Sequence, residues 1–543
     1  GDLVIAGVES LSEGFTLPLC KITEVLGDPD APGVDVLAIA LRYSLPIHFP
    51  EEVIRESEQL GDNLSIEIHG NRKDLRGLVT FTIDPVDAKD FDDAISLMRT
   101  GDGGYELGVH IADVSYYVSD RTAMDREAEA RGMSCYLVDR VLPMLPERVS
   151  NDLCSLKPHV DRLTKSVLIQ LDAKGTVLSH EIANTVIHSK SRLTYEQVQE
   201  FLDGNNKNGD VVIPTEVCEV LITFSELTDL LIKQRTGRGA LDFELPEARV
   251  LLDDSGKPVN ILKNRRFKAH RMVEEAMLLA NTITAVTLRE HHVPFLYRIH
   301  DKPDEAKLAA FGEIASELGY DFRASRAGDD GYIQSFIISI SGKKHEQLLN
   351  TLLLRSMKKA AYSPINIGHY GLGLSTYAHF TSPIRRYPDL IVHRQLDTYI
   401  IHNGKNTGKK DEEYYKNLGN YITEREIITD NAERESTKMK TAEFMKGHLG
   451  EEYDGTISGI LPLGFFVELD EFYVEGLVHV SSLEDDYYEI ERSGIAMSGR
   501  NRGRRFVVGE RVRILVARAD KDRGEVDFFL VEKGKKKAKK SRK

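Results

Sequence analysis

No stretch of this sequence approaches the ~18 consecutive apolar residues that a membrane-spanning helix needs. Cysteine is scarce: Cys20, Cys135, Cys154 and Cys218 are widely spaced and include no C-x-x-C pair. That spacing argues against a disulfide framework or a cysteine-held zinc site, and for a reducing cytoplasm. The start, Gly1-Asp2-Leu3-Val4-Ile5-Ala6-Gly7, has neither the basic region nor the apolar core of a signal peptide. It also lacks an initiator methionine, as expected of a chain trimmed at its front. No solenoid-type repeat is found. Positive charge is in deficit, with a formal net charge of -15, which at first argues against a nucleic-acid partner.

The distribution of charge reverses that argument. The tail Lys533-Gly534-Lys535-Lys536-Lys537-Ala538-Lys539-Lys540-Ser541-Arg542-Lys543 is almost wholly basic, and Arg500-Asn501-Arg502-Gly503-Arg504-Arg505 forms a second cluster. Local charge, not the total, decides whether a groove holds an anion. The competing reading of the tail is a disordered, solubilising end.

The chain has 543 residues, 41% hydrophobic and 29% charged, an ordinary globular composition with room for three or four domains of about 150 residues. Residues 1 to about 75 are mixed: strands near Leu3 and Cys20–Leu26, a turn at Gly27-Asp28-Pro29-Asp30, then a helix from Val34 to Tyr43. From about 76 to 445 the pattern is α+β. Strands are expected at Leu78–Ile83 and Leu107–Val114. Helices are expected at 267–289, after Pro303, at Gln347–Ala361, at Pro388–Ile401 and at Asp411–Gly447. From about 450 to 532 five short alternating segments fit a small OB barrel.

The most informative stretch is Thr82-Ile83-Asp84-Pro85-Val86-Asp87-Ala88-Lys89-Asp90-Phe91-Asp92-Asp93-Ala94. Asp84 ends a strand, and Asp90, Asp92 and Asp93 lie where the next begins. If the segment is extended, Asp90 and Asp92 share a face and Asp93 points the other way. Like charges ~4 Å apart repel by about 1 kcal/mol in water and about 4 kcal/mol at an effective dielectric near 20. Such a cluster needs cations or raised pKa values. Oxygen ligands without His or Cys favour magnesium or manganese over zinc, and two such ions suit in-line attack on a phosphodiester. A solvated acidic loop or a calcium site is the alternative, although the spacing is not that of an EF-hand.

The second stretch runs from His369-Tyr370-Gly371-Leu372-Gly373-Leu374 through Phe380-Thr381-Ser382-Pro383-Ile384-Arg385-Arg386-Tyr387-Pro388-Asp389. Its glycines suggest close backbone approach to a ligand. Ser382-Pro383 signals a turn or helix start, and Arg385 and Arg386 offer forks for phosphate oxygens. The plainer alternative is a helix N-terminus with surface arginines.

Taken together, in this order and about 290 residues apart, the two stretches resemble the catalytic RNB domain of the ribonuclease II / ribonuclease R family. The resembling motifs are T-I-D-x5-D-x-D-D-A and the H-Y-G-L-G-L to H segment ending at His393, and Leu142–Pro146, Ser150–Leu156 and Val273–Met277 also look like family sequence. The C-terminal segment is similar to an S1 domain, and residues 1–70 look like the end of a cold-shock domain. The resemblance implies an α+β RNB domain, a mixed sheet packed with helices, followed by a five-stranded OB-fold (S1) barrel and preceded by a cold-shock OB remnant. The expected divisions are 1–74, 75–447, 448–532 and a basic, disordered tail at 533–543.

It further implies a processive 3′-to-5′ exoribonuclease of the ribonuclease R type, releasing 5′-nucleoside monophosphates with two magnesium ions (or manganese). Asp84, Asp90 and Asp93 would hold metal, directly or through water. Asp92 would complete the metal site or position the attacking water. Arg385 would stabilise the transition state, with Arg386 also on RNA. Tyr136 and Phe243 would clamp stacked bases, Tyr195 would lie near the 3′-terminal nucleotide, and Glu274 would contact the substrate end. Phe465, Phe466 and His479 would face RNA on the barrel. Each of these aromatics, read without the resemblance, is as well a core residue. Thr194-Tyr195-Glu196-Gln197 also spells a capping box that fixes Tyr195 at a helix start. The implied partners are single-stranded RNA or RNA with a 3′ overhang, with the ribosome or other RNA-decay factors beyond it, and the implied state is a cytoplasmic monomer with no membrane contact.

Overall fold

The computed structural model describes residues 1–10, 19–29, 31–61, 72–204, 213–243, 247–329, 331–402, 411–491 and 494–531. The lysine-rich tail at 533–543 lies outside them. Among the described residues no helix is long and apolar enough to cross a membrane.

Apolar β-formers build a seven-stranded sheet. Its spatial order is Ser191–Thr194, Phe81–Asp84, Asp93–Arg99, Tyr105–Ala112, Asp161–Leu171, Val177–His188 and Lys73–Asp74. The sheet is mixed: the two outermost strands pair in parallel, the inner ones antiparallel. Phe81, Ile95, Val109 and Val167 are fully or almost fully buried beneath the helices Thr215–Gly237 and Lys268–Glu290, whose apolar faces complete one core.

Two expected elements are shorter than read. The first strand starts at Phe81, not Leu78, because Leu78 turns back to hydrogen-bond the Leu75 carbonyl. The helix from Gln347 stops at Ser356, and Ala361–Ser363 forms a strand with Tyr297–Ile299 instead. Burial of Tyr362, only 2% exposed, overrides the local helical pattern there.

The helix Glu412–Lys446 starts at an Asp411 cap and ends at Gly447. It ties the chain together. Lys440 is buried and paired with Asp35 of the helix Val34–Arg42 at 2.8 Å. The far end carries Ala442 and Met445 into the core of the C-terminal barrel. That barrel is closed, in the order Glu452–Leu461, Gly464–Leu469, Glu475–His479, Glu525–Leu530, Arg511–Asp520. A small three-stranded sheet, Tyr488–Ile490, Ala496–Gly499 and Arg505–Val507, is inserted between the strands Glu475–His479 and Arg511–Asp520. At the front, Leu3–Ser10 pairs antiparallel with Leu19–Gly27, leaving Val8, Leu19, Ile22 and Val25 exposed.

One polar cluster is sealed in the fold. Lys165 is 0% exposed and contacts Asp113 at 3.0 Å, Asn184 at 3.0 Å and Asp397 at 2.6 Å. Arg72 reaches Asp113 from the other side at 2.5 Å. The cluster pins Asp397, in the turn after the helix Tyr387–Gln395, to the sheet. Removing one member of a buried ionic group leaves its partners charged and unpaired, at a cost of about 3–5 kcal/mol. Lys165→Met is therefore expected to lower unfolding free energy by about that amount. Urea denaturation checks it; a loss under about 1 kcal/mol, the scale of exposed pairs, contradicts it.

Candidate active site

Strand register assembles the acidic residues. Phe81–Asp84 and Asp93–Arg99 run antiparallel, with Phe81 opposite Ile95. The end of one therefore meets the start of the next, and Asp84 comes to the same sheet end as Asp93. Ser191–Thr194 runs parallel to the first strand with Thr194 opposite Asp84. The helix Tyr195–Leu202 thus begins beside both carboxylates, and its Thr194–Gln197 capping box is formed.

The connecting segment is tightly held. The Phe91 N–H donates to Ser155 Oγ at 3.1 Å, and Ser155 Oγ donates to the Lys89 carbonyl at 2.7 Å. Phe91 is buried, and the Ala112 N–H closes on the Asp92 carbonyl. Residues 88–92 are not a strand, so alternation of faces does not govern them. Instead Asp92 points inward, 5% exposed. Its Oδ1 accepts the Ile384 N–H at 3.0 Å, and its Oδ2 lies 3.6 Å from Arg385 Nε. Two segments separated by 292 positions thereby become one site.

The electrostatics are those of too many carboxylates for one cation. Burial, then repulsion from Asp93, pushes Asp84 up to about 8. Burial lifts Asp93 to about 6, with Arg385 pulling the other way. Asp92 is held well above the ordinary carboxylate range by burial, opposed by Arg385 and the Ile384 amide. Asp84 Oδ2 is buried with no hydrogen-bond partner. An orphaned oxygen among mutually repelling acids, with no His or Cys donor, suits a hard divalent cation. Among the described residues no three acidic, His or Cys side chains already converge as a ligand set. An ion held here would need the carboxylates to close on it or to share it with water.

The arginine segment is organised from inside. Ser382 Oγ accepts from Arg385 Nη2 at 3.0 Å, leaving the Arg385 side chain 41% exposed at the site. The Arg386 side chain, expected on RNA, is turned inward and mostly buried. Its guanidinium turns to Asp389 at 2.8 Å, and Asp389 also accepts the Ser382 N–H. It locks the start of the helix Tyr387–Gln395. The glycines serve packing rather than ligand approach. A Cβ on Gly371 would stand 3.1 Å from His300, and one on Gly373, at φ +60°, 2.9 Å from the Arg238 carbonyl. Asn281 escaped the sequence reading. Its amide accepts the Phe380 N–H at 2.7 Å and donates to Tyr377 Oη at 3.1 Å, bracing the segment. Its signal along the chain is an amide directly after the apolar run Ala276–Ala280.

The predicted aromatics divide. Tyr136 is 39% exposed and its hydroxyl donates to Asp90 Oδ2 at 3.3 Å. Its backbone N–H is held by Glu433 of the long helix at 2.6 Å. Tyr195 stacks on His270, with centroids 3.9 Å apart and planes 10° apart. Burial and the nearby Asp93 and Asp84 charges raise its phenol. Phe243 packs, half-buried, against the apolar cluster of Phe311, Phe322 and Phe336, whereas Glu274 belongs to a separate charged group. Glu274 pairs with Arg266 and with Arg235 at 3.3 Å, and both arginines also bind Asp242. Separation along the chain hid this network from sequence reading.

On the barrel, Phe465 does not face RNA. It is 0% exposed and packs on Phe506 at 4.8 Å, because strand alternation sends it to the core. Phe466, its neighbour, is half-buried, and His479 is exposed. The 500–505 cluster is largely neutralised: Arg500 pairs with Glu489, Arg504 with Asp485 and Arg505 with Glu491.

Comparison with known proteins assigns each part of the chain to a family. The RNB domain matches residues 72–402, the S1 RNA binding domain residues 447–530, and the cold shock domain residues 1–50. Ribonuclease R 1 of Lactococcus lactis is 40% identical over 511 residues, covering 93% of this chain and 62% of that protein. Ribonuclease R of Aquifex aeolicus is 40% identical over 537 residues, covering 98% of this chain and 75% of that protein. The chain thus spans 62% and 75% of the length of these two relatives. The structure of Mycoplasma genitalium RNase R in complex with ribose methylated single-stranded RNA superposes with a TM-score of 0.88 at 29% identity. That match covers 95% of this chain and 80% of the other.

Proposed function

The chain belongs to the ribonuclease R family, and from that premise we propose that it hydrolyses RNA from the 3′ end, releasing 5′-nucleoside monophosphates in succession. One observation carries the reading: the buried Asp92 meets Ile384 and Arg385 beside three further aspartates.

In this reading a strand enters past the N-terminal segment (1–74) and the barrel (448–532), where Phe466 and His479 touch it, and threads into the catalytic part (75–447). Tyr136 and Phe243 stack on bases, a contact worth about 1–3 kcal/mol per base and indifferent to sequence. Tyr195, backed by His270, meets the last nucleotide, and Glu274, steadied by Arg235 and Arg266, contacts the strand end. Asp84, Asp90 and Asp93 would hold magnesium or manganese; when bound, two such ions supply Lewis-acid activation of water and of the leaving oxygen. Asp92 fixes the relation between that acidic pocket and the arginine loop. Arg385 places its guanidinium where negative charge grows on the phosphoryl oxygens. The activity extends to structured RNA bearing a 3′ overhang. The four free thiols suit a reducing cytoplasm.

A 5′-labelled linear RNA and a circular RNA of the same sequence, each with and without magnesium, test the reading. The linear strand should shorten stepwise from its 3′ end only with the ion, and the circle should survive. Internal cuts in the circle, or a linear strand left whole, overturn it.

A further inference from the structure

Beyond the acidic site lies a cavity of about 740 Å³, of whose lining the mechanism above uses only Phe243 and, through Glu274, Arg266. Its position relative to Tyr195 is fixed by two routes. Gln199, which lines it, is four residues after Tyr195 and so on the same helix face, one turn further on. Gln199 also accepts the Lys268 N–H at 2.8 Å. Phe267, a second lining residue, donates its N–H to His270, the ring that backs Tyr195. The cavity therefore opens directly behind the place assigned to the terminal nucleotide.

Its chemistry is that of an anion site with apolar faces. Lys263, Arg265, Lys343 and Lys344 bring positive charge, against Asp203 and Glu346, and Phe243 and Phe267 bring rings. Arg266 is tied to Asp242 and Glu274, but Arg265 and Lys344 are exposed and, among the described residues, form no ion pair. A volume of 740 Å³ falls in the range of about 300–1,000 Å³ typical of small-molecule sites.

We propose that this cavity is a release site for the nucleoside 5′-monophosphate product, an inference that rests on the exoribonuclease reading. Hydrolysis itself creates the distinguishing charge. An internal phosphodiester carries one negative charge, whereas a freed terminal phosphate, with a second pKa near 6, carries close to two at neutral pH. Cations beyond the cut thus favour the severed nucleotide over the strand and draw it away from the carboxylates, while the Phe267 ring, which the strand does not use, can receive the base.

The test is equilibrium titration of the full chain with 5′-AMP and with adenosine, in chelator, where the metal-free acidic pocket repels phosphate. The wild-type chain should bind 5′-AMP more tightly than adenosine. The double variant Arg265→Glu/Lys344→Glu should lose at least about tenfold in 5′-AMP affinity, because like charges then face the phosphate. Its affinity for a single-stranded RNA should change less than about twofold. Arg265→Gln/Lys344→Gln should fall between, which separates charge from misfolding. Unchanged 5′-AMP affinity in the reversed variant overturns the proposal, and an equal loss for RNA assigns the cavity to the strand's own path. RNA hydrolysis with magnesium, measured on the same preparation, separates the two readings. A chain that degrades RNA but does not bind 5′-AMP here sinks only the release site. A chain that binds it but leaves RNA whole sinks the exoribonuclease reading.

Discussion

Asp92→Asn is expected to abolish RNA hydrolysis, by about 10³-fold or more, the scale of losing a preorganised electrostatic contact with the transition state. The substitution is nearly isosteric. The asparagine oxygen can still accept the Ile384 N–H that Asp92 Oδ1 accepts at 3.0 Å. What changes is the other end: an amide replaces the oxygen 3.6 Å from Arg385 Nε, so a donor faces a donor and the guanidinium loses its anchor. Folding should not suffer, because burial already disfavours the charged form of Asp92. RNA affinity should stay within a few fold, since the stacking rings and the barrel are untouched. Single-turnover cleavage and a filter-binding isotherm on one preparation check both halves. A rate within tenfold of wild type removes Asp92 from the chemistry.

Chelation should stop the reaction completely, with magnesium or manganese restoring it, and stability should move with pH in a definite sense. The ordinary aspartate value is about 3.9, whereas Asp93 stands at about 6 and Asp84 at about 8 in the metal-free fold. A group with a raised folded pKa binds more protons folded than unfolded. The stability it confers is full at low pH and is lost as pH rises through the folded value. The metal-free chain should therefore weaken between about pH 4 and pH 8. A divalent ion reverses this by neutralising the ionised cluster. At about 100 times its dissociation constant it adds about 2.7 kcal/mol, and the upward Tm shift should grow from pH 5 to pH 8. A shift that is flat in pH, or activity that persists in chelator, removes the acidic cluster as an ion site.

Much of this protein is legible along the chain. The helix Lys268–Glu290 follows apolar spacing, Glu412–Lys446 is bracketed by an aspartate cap and a glycine stop, and the barrel strands alternate in pairs. The acidic cluster and the arginine loop were also visible, because both depend on residue types at short spacing. The misreadings share one cause. Gly371, Gly373 and Phe465 each carry a residue type that suits ligand contact, yet each faces a neighbour from a distant segment, His300, Arg238 and Phe506, while Arg386 turns to Asp389 at its own helix start. Asn281 and the Arg235–Asp242–Arg266–Glu274 network went unseen for the same reason in reverse.

The sequence by itself determined the family, the order of its parts and the carboxylates, since local pattern and motif spacing are properties of the chain. Only the tertiary structure decided that Asp92 meets Ile384 and Arg385, that Tyr195 leans on His270, and which arginine is left facing the site. Those outcomes depend on strand register and on which side chains are buried together, and burial is a property of the packed whole that no single segment encodes.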